Sequence, residues 1–358
     1  MSTPYTIVVT GGAGFVGART ALGFKEQRPD ARVIALDNLK RRGSEFNLPR
    51  LAAGGVDFVH GDVRSADDLD ALDPVDLIIE CSAEPSVLAG YGESPRYVLD
   101  TNLGGAMQCL ELARRRHADM LFLSTSRIYP IEQLRAIRLN EADTRFTIAS
   151  EQTLPGISAE GIAESFPCDG VRSLYGATKY AAELLIAEYA AMYGLRCVVN
   201  RCGVIAGPWQ MGRTDQGVAA LWVARHMYGG PLAYIGYGGT GKQVRDLLHV
   251  DDLLALLLHQ AEHMERLCGS VFNVGGGHAC SLSLRELTAL CQEAAGNRIA
   301  IGAQPAEREA DIPLYITDYA RVASACDWQP RKSAADIVND TARWIRDHEA
   351  LLRPVLGA

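Results

Sequence analysis

Short stretches dominated by apolar residues recur along the first 130 residues, at Thr6–Thr10, Arg32–Leu36, Val56–Val59 (interrupted by Asp57), Leu77–Ile79 and Met120–Leu123. They are too short for helices and lack the apolar-polar alternation of a strand with one wet face. They therefore read as strands buried on both sides. Polar or helix-patterned segments separate them, which predicts a parallel sheet with helices over both faces. A further strand is expected at Cys197–Asn200. Before it, Tyr180–Met192 places apolar residues at helical spacing, with Gly194 just past the end. From Gly203 to Gly241 glycines and polar residues become frequent. Then follow a helix after His249-Val250-Asp251-Asp252, a strand at Val271–Val274, a Gly275-Gly276-Gly277 turn, a helix from Ser283 and a closing helix over Ala334–His348. The expected organisation is a first domain over 1–202, with 243–274 returning to it. A smaller C-terminal α/β lobe, 203–242 and 275–358, would bind substrate.

The first strand runs into Gly11-Gly12-Ala13-Gly14-Phe15-Val16-Gly17 and then a helical segment. Glycines at 11, 14 and 17 allow a tight turn and let a pyrophosphate approach the helix N-terminus. A glycine turn alone is weak evidence, but the second strand ends at Asp37, 20 residues beyond Gly17. A ribose-binding carboxylate belongs there. The fold is therefore expected to be a Rossmann doubly wound parallel sheet. The charge of Asp37 would repel a 2′-phosphate, favouring NAD over NADP. Lys40, Arg41 and Arg42 argue the other way, or form a solvated loop. Asp37, Asp62, Ser82 and Thr125 all fall at carboxyl ends of expected strands, where ligands bind such sheets.

Tyr175 and Lys179 are four residues apart at the start of the long helical run, so they share one face. A free tyrosine titrates near pH ~10 and is a poor base at neutral pH. A lysine cation one turn away, with a positive nicotinamide ring, would favour its phenolate. Such a group could take the proton from a sugar hydroxyl while hydride leaves the same carbon. The pattern Y-x-x-x-K also arises by chance in amphipathic helices.

Bulk properties narrow the class. A net charge of −8 disfavours nonspecific nucleic-acid binding, and an anionic ligand would need its own basic cluster. No apolar run is long enough to span a bilayer, and no signal peptide pattern precedes the first strand. The nine cysteines are scattered without a C-x-x-C pair, as expected for free thiols of a reduced, cytoplasmic protein. His259 and His263 lie four apart on an expected helix, but no third ligand is evident and no metal is expected. Arg114-Arg115-Arg116 reads as an exposed helix end, and Trp209 and Tyr237 read as base-stacking groups or as ordinary core.

TGGAGFVG, Asp37, Gly61-Asp62-Val63, Thr125 and Tyr175/Lys179, in this order, resemble the extended short-chain dehydrogenase/reductase superfamily over nearly the whole chain. The resemblance implies Thr125 as the group that hydrogen-bonds the reacting hydroxyl, Tyr175 as base, and Lys179 as holder of the ribose. The expected NAD-binding set is Gly11, Gly14, Phe15, Val16, Gly17, Asp37, Asn38, Asp62, Val63, Ser82, Ala83 and Asn102, with Tyr175 and Lys179. Relatives that dehydrate nucleotide sugars carry an Asp-Glu pair after the threonine. Here Ser126 and Arg127 follow, which disfavours dehydration. GKQVRD at 241–246 and the 306–311 segment resemble the regions that supply arginines to a diphosphate, Arg245 and Arg308. The alternative is that each arginine pairs with a neighbouring acid.

Asp37-Asn38-Leu39, the 43–48 loop, Ser124–Tyr129, the 140–147 segment and Asp215-Gln216-Gly217 are similar to the CDP-paratose 2-epimerase (CDP-tyvelose epimerase) branch. The chain departs from that branch at Glu84 and Ile312, where glutamine is expected, and at Pro130, where glycine is expected. Val204 stands where uridine- and thymidine-sugar relatives often carry asparagine. Glu84, Arg127, Gln216, Arg245 and Arg308 form the expected substrate-binding set. The implied activity is NAD-dependent epimerisation of a nucleotide-diphosphate sugar, at C2 of a CDP-linked deoxysugar. A net oxidoreductase using the same residues and a non-catalytic dinucleotide sensor remain as alternatives. The resemblance also implies a homodimer or higher homo-oligomer.

Overall fold

The computed structural model describes residues 4–212 and 216–357. Asp215 of the Asp-Gln-Gly motif lies outside the described residues. By internal packing the chain divides into two units of nearly equal length. The first is Met1–Ile128, Leu174–Arg201 and Leu254–Phe272; the second is Tyr129–Ser173, Cys202–Leu253 and Asn273–Ala358.

The first unit is built on a seven-stranded sheet. Its strands include β1 (Thr6–Thr10), β2 (Arg32–Asp37), β3 (Asp57–His60), β4 (Leu77–Glu80) and β5 (Asp119–Thr125). The order is β3-β2-β1-β4-β5, continued by Cys197–Cys202 and Val271–Val274. The four neighbouring pairs among β1–β5 run parallel. Because β1 is flanked by β2 on one side and β4 on the other, the chain's winding reverses there. A crevice opens at the carboxyl ends of the strands at such a point. The expected strands are all present. Apolar side chains on both faces explain the apolar runs of β1, β2, β4 and β5: Val8, Ile34, Leu36, Ile78, Met120 and Phe122 are buried with Cys109, Leu110 and Leu112 of a covering helix. The alternate residues Ile7, Val9, Val33, Ala35, Leu77, Ile79 and Leu121 are buried too, whereas β3 is exposed at both ends. Each such side chain contributes about 1.5–3 kcal/mol through burial.

The helix α1, Phe15–Gln27, follows the glycine turn. Two further helices position the site. One is Gly105–Arg116, which continues a π-helical turn at Leu99–Gly104. The other is Leu174–Tyr193, which begins before the apolar run and includes both Tyr175 and Lys179.

The second unit has a small mixed sheet. Val244–His249 pairs in parallel with Val204–Ala206 and with Leu314–Tyr315, and antiparallel with Ser281–Ser283. Its helices start on side-chain caps: Ser283 and Ser333 each accept from the backbone N–H three residues on, and Glu286 and Asp336 reach back to the cap N–H. This division differs from the sequence expectation in two places. Tyr129–Ser173 packs with the second unit, and of 243–274 only Leu254–Phe272 belongs to the first. The reason is local. Besides a five-residue helix at Ile131–Arg135, the 129–173 stretch makes only short hairpins, Leu139–Glu141 with Phe146–Ile148 and Ile157–Ser158 with Gly161–Ile162. These find their partners in Lys242 and Ile316: the Phe146 N–H donates to the Lys242 carbonyl and the Ile162 N–H to the Ile316 carbonyl.

Candidate active site

The glycine turn is shaped by contacts that a side chain would destroy. A Cβ on Gly17 would lie 2.1 Å from the Gly11 carbonyl oxygen, and one on Gly12 would lie 2.6 Å from Ala35 Cα. Gly11 adopts φ +62°, where only glycine is unstrained, and a Cβ there would meet Ser82 Cα at 2.9 Å. Gly14 caps α1 without a side-chain hydrogen bond, and the first turn of α1 holds no acid. Phe15 and Val16 are half-buried. A helix N-terminus left in this state attracts an anion with its N–H groups and dipole. The residues present therefore fit the pyrophosphate of a dinucleotide.

Asp37 ends β2 and closes the same turn: its carboxylate accepts from Ala13 N–H at 3.1 Å and from Leu39 N–H at 2.8 Å. Burial pushes its pKa up, against the pull of these N–H groups. Asn38 donates to Asp62 at 2.9 Å, and Asp62 is also paired with Arg64 at 2.6 Å. Hydrogen bonding from Arg64 outweighs burial and holds the Asp62 carboxyl well below the usual range. Val63 is buried beside them. Lys40 stacks over the Tyr97 ring, 3.2 Å from its centre.

The end of β4 supplies Ser82 and Ala83. Behind them, Asn102 is fully buried in the π-helical turn, and its amide is committed to the chain itself. Its Oδ1 accepts from Glu84 N–H at 2.7 Å, and its Nδ2 donates to the Glu84 carbonyl at 3.1 Å and to Thr178 Oγ1 at 3.2 Å. Asn102 thus ties the 82–84 turn to the helix bearing Tyr175. Thr125 ends β5, buried, and its Oγ1 accepts from Arg127 N–H at 3.2 Å. Tyr175 is half-buried, one turn before Lys179.

Lys179 is only 2% exposed, and its Nζ lies 2.9 Å from Glu80 Oε2 and 3.4 Å from the Ser82 carbonyl. Burial alone would lower the lysine pKa. The Glu80 charge, then Tyr175, and the hydrogen bond to Glu80 outweigh it and raise the pKa. Glu80 is absent from the residues expected from sequence. The available signal was a lone carboxylate ending an otherwise apolar central strand, which requires a counter-charge.

The substrate-binding expectations divide between the units. Glu84 and Arg127 are half-buried in the first. In the second, Arg245 donates to the Val244 and Ile312 carbonyls at 2.7 and 2.8 Å and pairs with Asp311 at 3.3 Å. Its acid partner is thus Asp311, 66 residues away, and not the adjacent Asp246. Arg308 and Gln216 are half-buried in the same unit. Tyr237 packs edge-on to Phe146, and Trp209 against Trp344 and His348, so both serve the packing of the second unit. The triple arginine is more than an exposed end, since Arg114, Arg115 and Arg116 pair with Glu111, Asp70 and Asp73. The rings of His259 and His263 stack 4.1 Å apart, and the described residues hold no cluster of three or more metal-ligating side chains. No described helix is long and apolar enough to cross a membrane. All nine cysteines are free thiols.

Residues 7–275 match the NAD dependent epimerase/dehydratase family. The chain belongs to that family. It is 31% identical over 345 residues to the CDP-paratose 2-epimerase of Salmonella typhi, covering 94% of this chain and 98% of that protein. Among solved structures, it resembles the UDP-glucose 4-epimerase of Thermotoga maritima with UDP-glucose. The TM-score is 0.78 at 26% identity, covering 96% of this chain and 99% of that one. It also resembles the dTDP-glucose 4,6-dehydratase of Streptomyces venezuelae with NAD bound. There the TM-score is again 0.78 at 26% identity, covering 98% and 99%. As an enzyme of this NAD-dependent family, the chain uses NAD, in keeping with the glycine turn and Asp37.

Proposed function

We propose that this enzyme is a nucleotide-sugar epimerase that removes a hydride from a sugar carbon and returns it to the opposite face, with C2 of a CDP-linked deoxysugar as its position of action. The observation that carries the choice of epimerisation is the sequence after Thr125. Eliminating water requires an acid for the departing hydroxyl and a base for the neighbouring proton. Ser126 and Arg127 supply neither, while Thr125, Tyr175 and Lys179 supply what oxidation and reduction need. The similarity to the Salmonella typhi enzyme supports the CDP-sugar and the C2 position.

The hydrogen bonds of Thr125 and Lys179 support their parts in this reading. Thr125 Oγ1 already accepts from Arg127 N–H, so its own O–H is the donor that steadies the reacting oxygen. Tyr175 takes the hydroxyl proton as the C–H bond breaks and the carbonyl forms. Of the three Lys179 N–H groups, two are directed to Glu80 and Ser82, leaving the third for the cofactor ribose. NAD, held by the glycine turn, Asp37 and Lys179, would supply the hydride acceptor and donor for this chemistry. Between the two transfers the keto-sugar turns its other face, and Tyr175 returns the proton. Asp37 binds the adenosine ribose, with Asp62 and Val63 beside the adenine. Arg245 and Arg308 hold the diphosphate.

The test is a panel of CDP-, UDP-, GDP- and dTDP-sugars incubated with purified protein and NAD, followed by NMR. Deuterium is placed on the carbon that inverts. The expected result is inversion of a CDP-sugar with the label kept on that carbon and no net NADH. Washed-out label would overturn hydride return. Accumulating NADH would make the protein a net oxidoreductase.

A further inference from the structure

Glu80 closes β4 after Leu77, Ile78 and Ile79, and the whole strand is buried. An isolated carboxylate in such a place is among the costliest groups a fold can hold. Here both of its oxygens are engaged. Oε2 faces Lys179 Nζ at 2.9 Å, and Oε1 accepts from Ser82 Oγ at 2.5 Å. Ser82 Oγ in turn accepts from Thr10 Oγ1 at 3.3 Å, so β1, β4 and the Leu174–Tyr193 helix are joined by one polar chain. The other groups facing the pair are Tyr175 on the same helix, Cys81 next along the strand, and Cys109 of the Gly105–Arg116 helix. The Cys109 thiol is held neutral, first by burial and then by the Glu80 charge. The Phe122 ring lies 4.5 Å from Lys179 Nζ.

We propose that Glu80 is a positioning residue: it is the built-in counter-charge that keeps the buried Lys179 ammonium protonated and fixed one helical turn from Tyr175. Lys179 is too buried for water to stabilise its charge, and among the described residues Glu80 is the acid paired with it. The other ionisable groups beside the pair, Tyr175, Cys81 and Cys109, are a phenol and two thiols and not carboxylates. Glu80 therefore sets whether the residue expected to favour the Tyr175 phenolate carries a charge at all. The catalytic part of this inference rests on the function proposed above; the charge-keeping part does not.

The experiment compares Tm against pH for the wild-type protein, Glu80→Gln, and Glu80→Gln/Lys179→Met. Glutamine keeps the shape and an acceptor but removes the charge, so burial then depresses the lysine pKa in the folded state. The unfolded chain, with lysine near pH ~10.4, binds more protons over the interval between the two values. Stability of Glu80→Gln must therefore rise with pH across that interval. We expect a Tm about 5–10 °C below wild type near pH 7, with the gap shrinking toward pH ~10. The double variant, with both charges gone, should recover most of the loss and show no such slope. A gap that stays constant with pH, or a double variant no better than Glu80→Gln, would overturn the proposal. These measurements require no substrate, so an enzyme inactive on every nucleotide sugar would remove the proposed function and leave this result standing. In turnover, kcat of Glu80→Gln should fall at least about tenfold as pH rises through the lowered lysine pKa, whereas Glu80→Asp, which keeps the charge, should follow the wild-type profile. A wild-type profile in Glu80→Gln would also count against it.

Discussion

Tyr175 and Lys179 share a helix face, yet they differ as targets because Lys179 is ion-paired with the buried Glu80. Tyr175→Phe keeps the ring and its packing and removes only the ionisable oxygen. Its expected effect is a fall in kcat of at least about 10²-fold, with NAD affinity by calorimetry nearly unchanged. Lys179→Met is a harsher change: it strands Glu80 without its cation, at a cost of about 3–5 kcal/mol of stability. Its loss of turnover must therefore be read beside its Tm. Full activity in Tyr175→Phe would exclude the phenol as base. Local spacing made Tyr175, Lys179 and Asp37 legible in the sequence, because four residues define a helix face and a glycine turn has a fixed reach. The Glu80–Lys179 pair joins positions 99 apart in the chain, and only the folded sheet brings them together.

Strands and helices were legible wherever burial is two-sided, and their ends were not. β5 runs from Asp119 to Thr125, beyond the apolar Met120–Leu123 core of the pattern. Its polar ends are accommodated because Asp119 pairs with Arg196 at 2.6 Å and Ser124 donates to Glu183. Glu183 is itself paired with Arg201 at 2.7 Å. Such partners lie on other elements, so composition could not reveal them. The 129–173 stretch was unreadable for a related reason: its strands have two or three residues and no periodicity to detect. At this scale the glycine turn offers the sharpest prediction. A Cβ on Gly17 would press on the Gly11 carbonyl at 2.1 Å, whereas one on Gly14 would lie 3.1 Å from the same atom. Gly17→Ala should force α1 away from the turn, weakening NAD binding at least about tenfold and lowering Tm, while Gly14→Ala should be milder on both counts. Equal effects in the two variants, by calorimetry and thermal unfolding, would show that the close approach is not what the turn needs.

For the whole molecule, the relevant surface is the one formed by the Gly105–Arg116 and Leu174–Tyr193 helices of the first unit. Tyr189 donates to Glu111 at 2.5 Å across the two helices, and Arg114 stacks over Tyr193 at 5.4 Å, so the pair forms one braced layer. That layer leaves Met107, Leu184, Met192 and Tyr193 exposed by 47%, 56%, 66% and 52%. Four large apolar side chains in contact with water on two neighbouring helices are what a two-fold contact would cover, since each copy presents the same patch to the other. The expected state is therefore a dimer built on a four-helix layer, measurable by light scattering at micromolar concentration. Leu184→Glu places a charge within that layer, where pairing would have to bury it against an apolar neighbour or against its own copy. The variant should scatter as a monomer while still binding NAD, because Leu184 faces away from the buried row of Lys179, Ala182, Glu183 and Ile186 on its own helix. A wild-type monomer, or a Leu184→Glu dimer of unchanged affinity, would assign the exposed apolar row to something other than self-association.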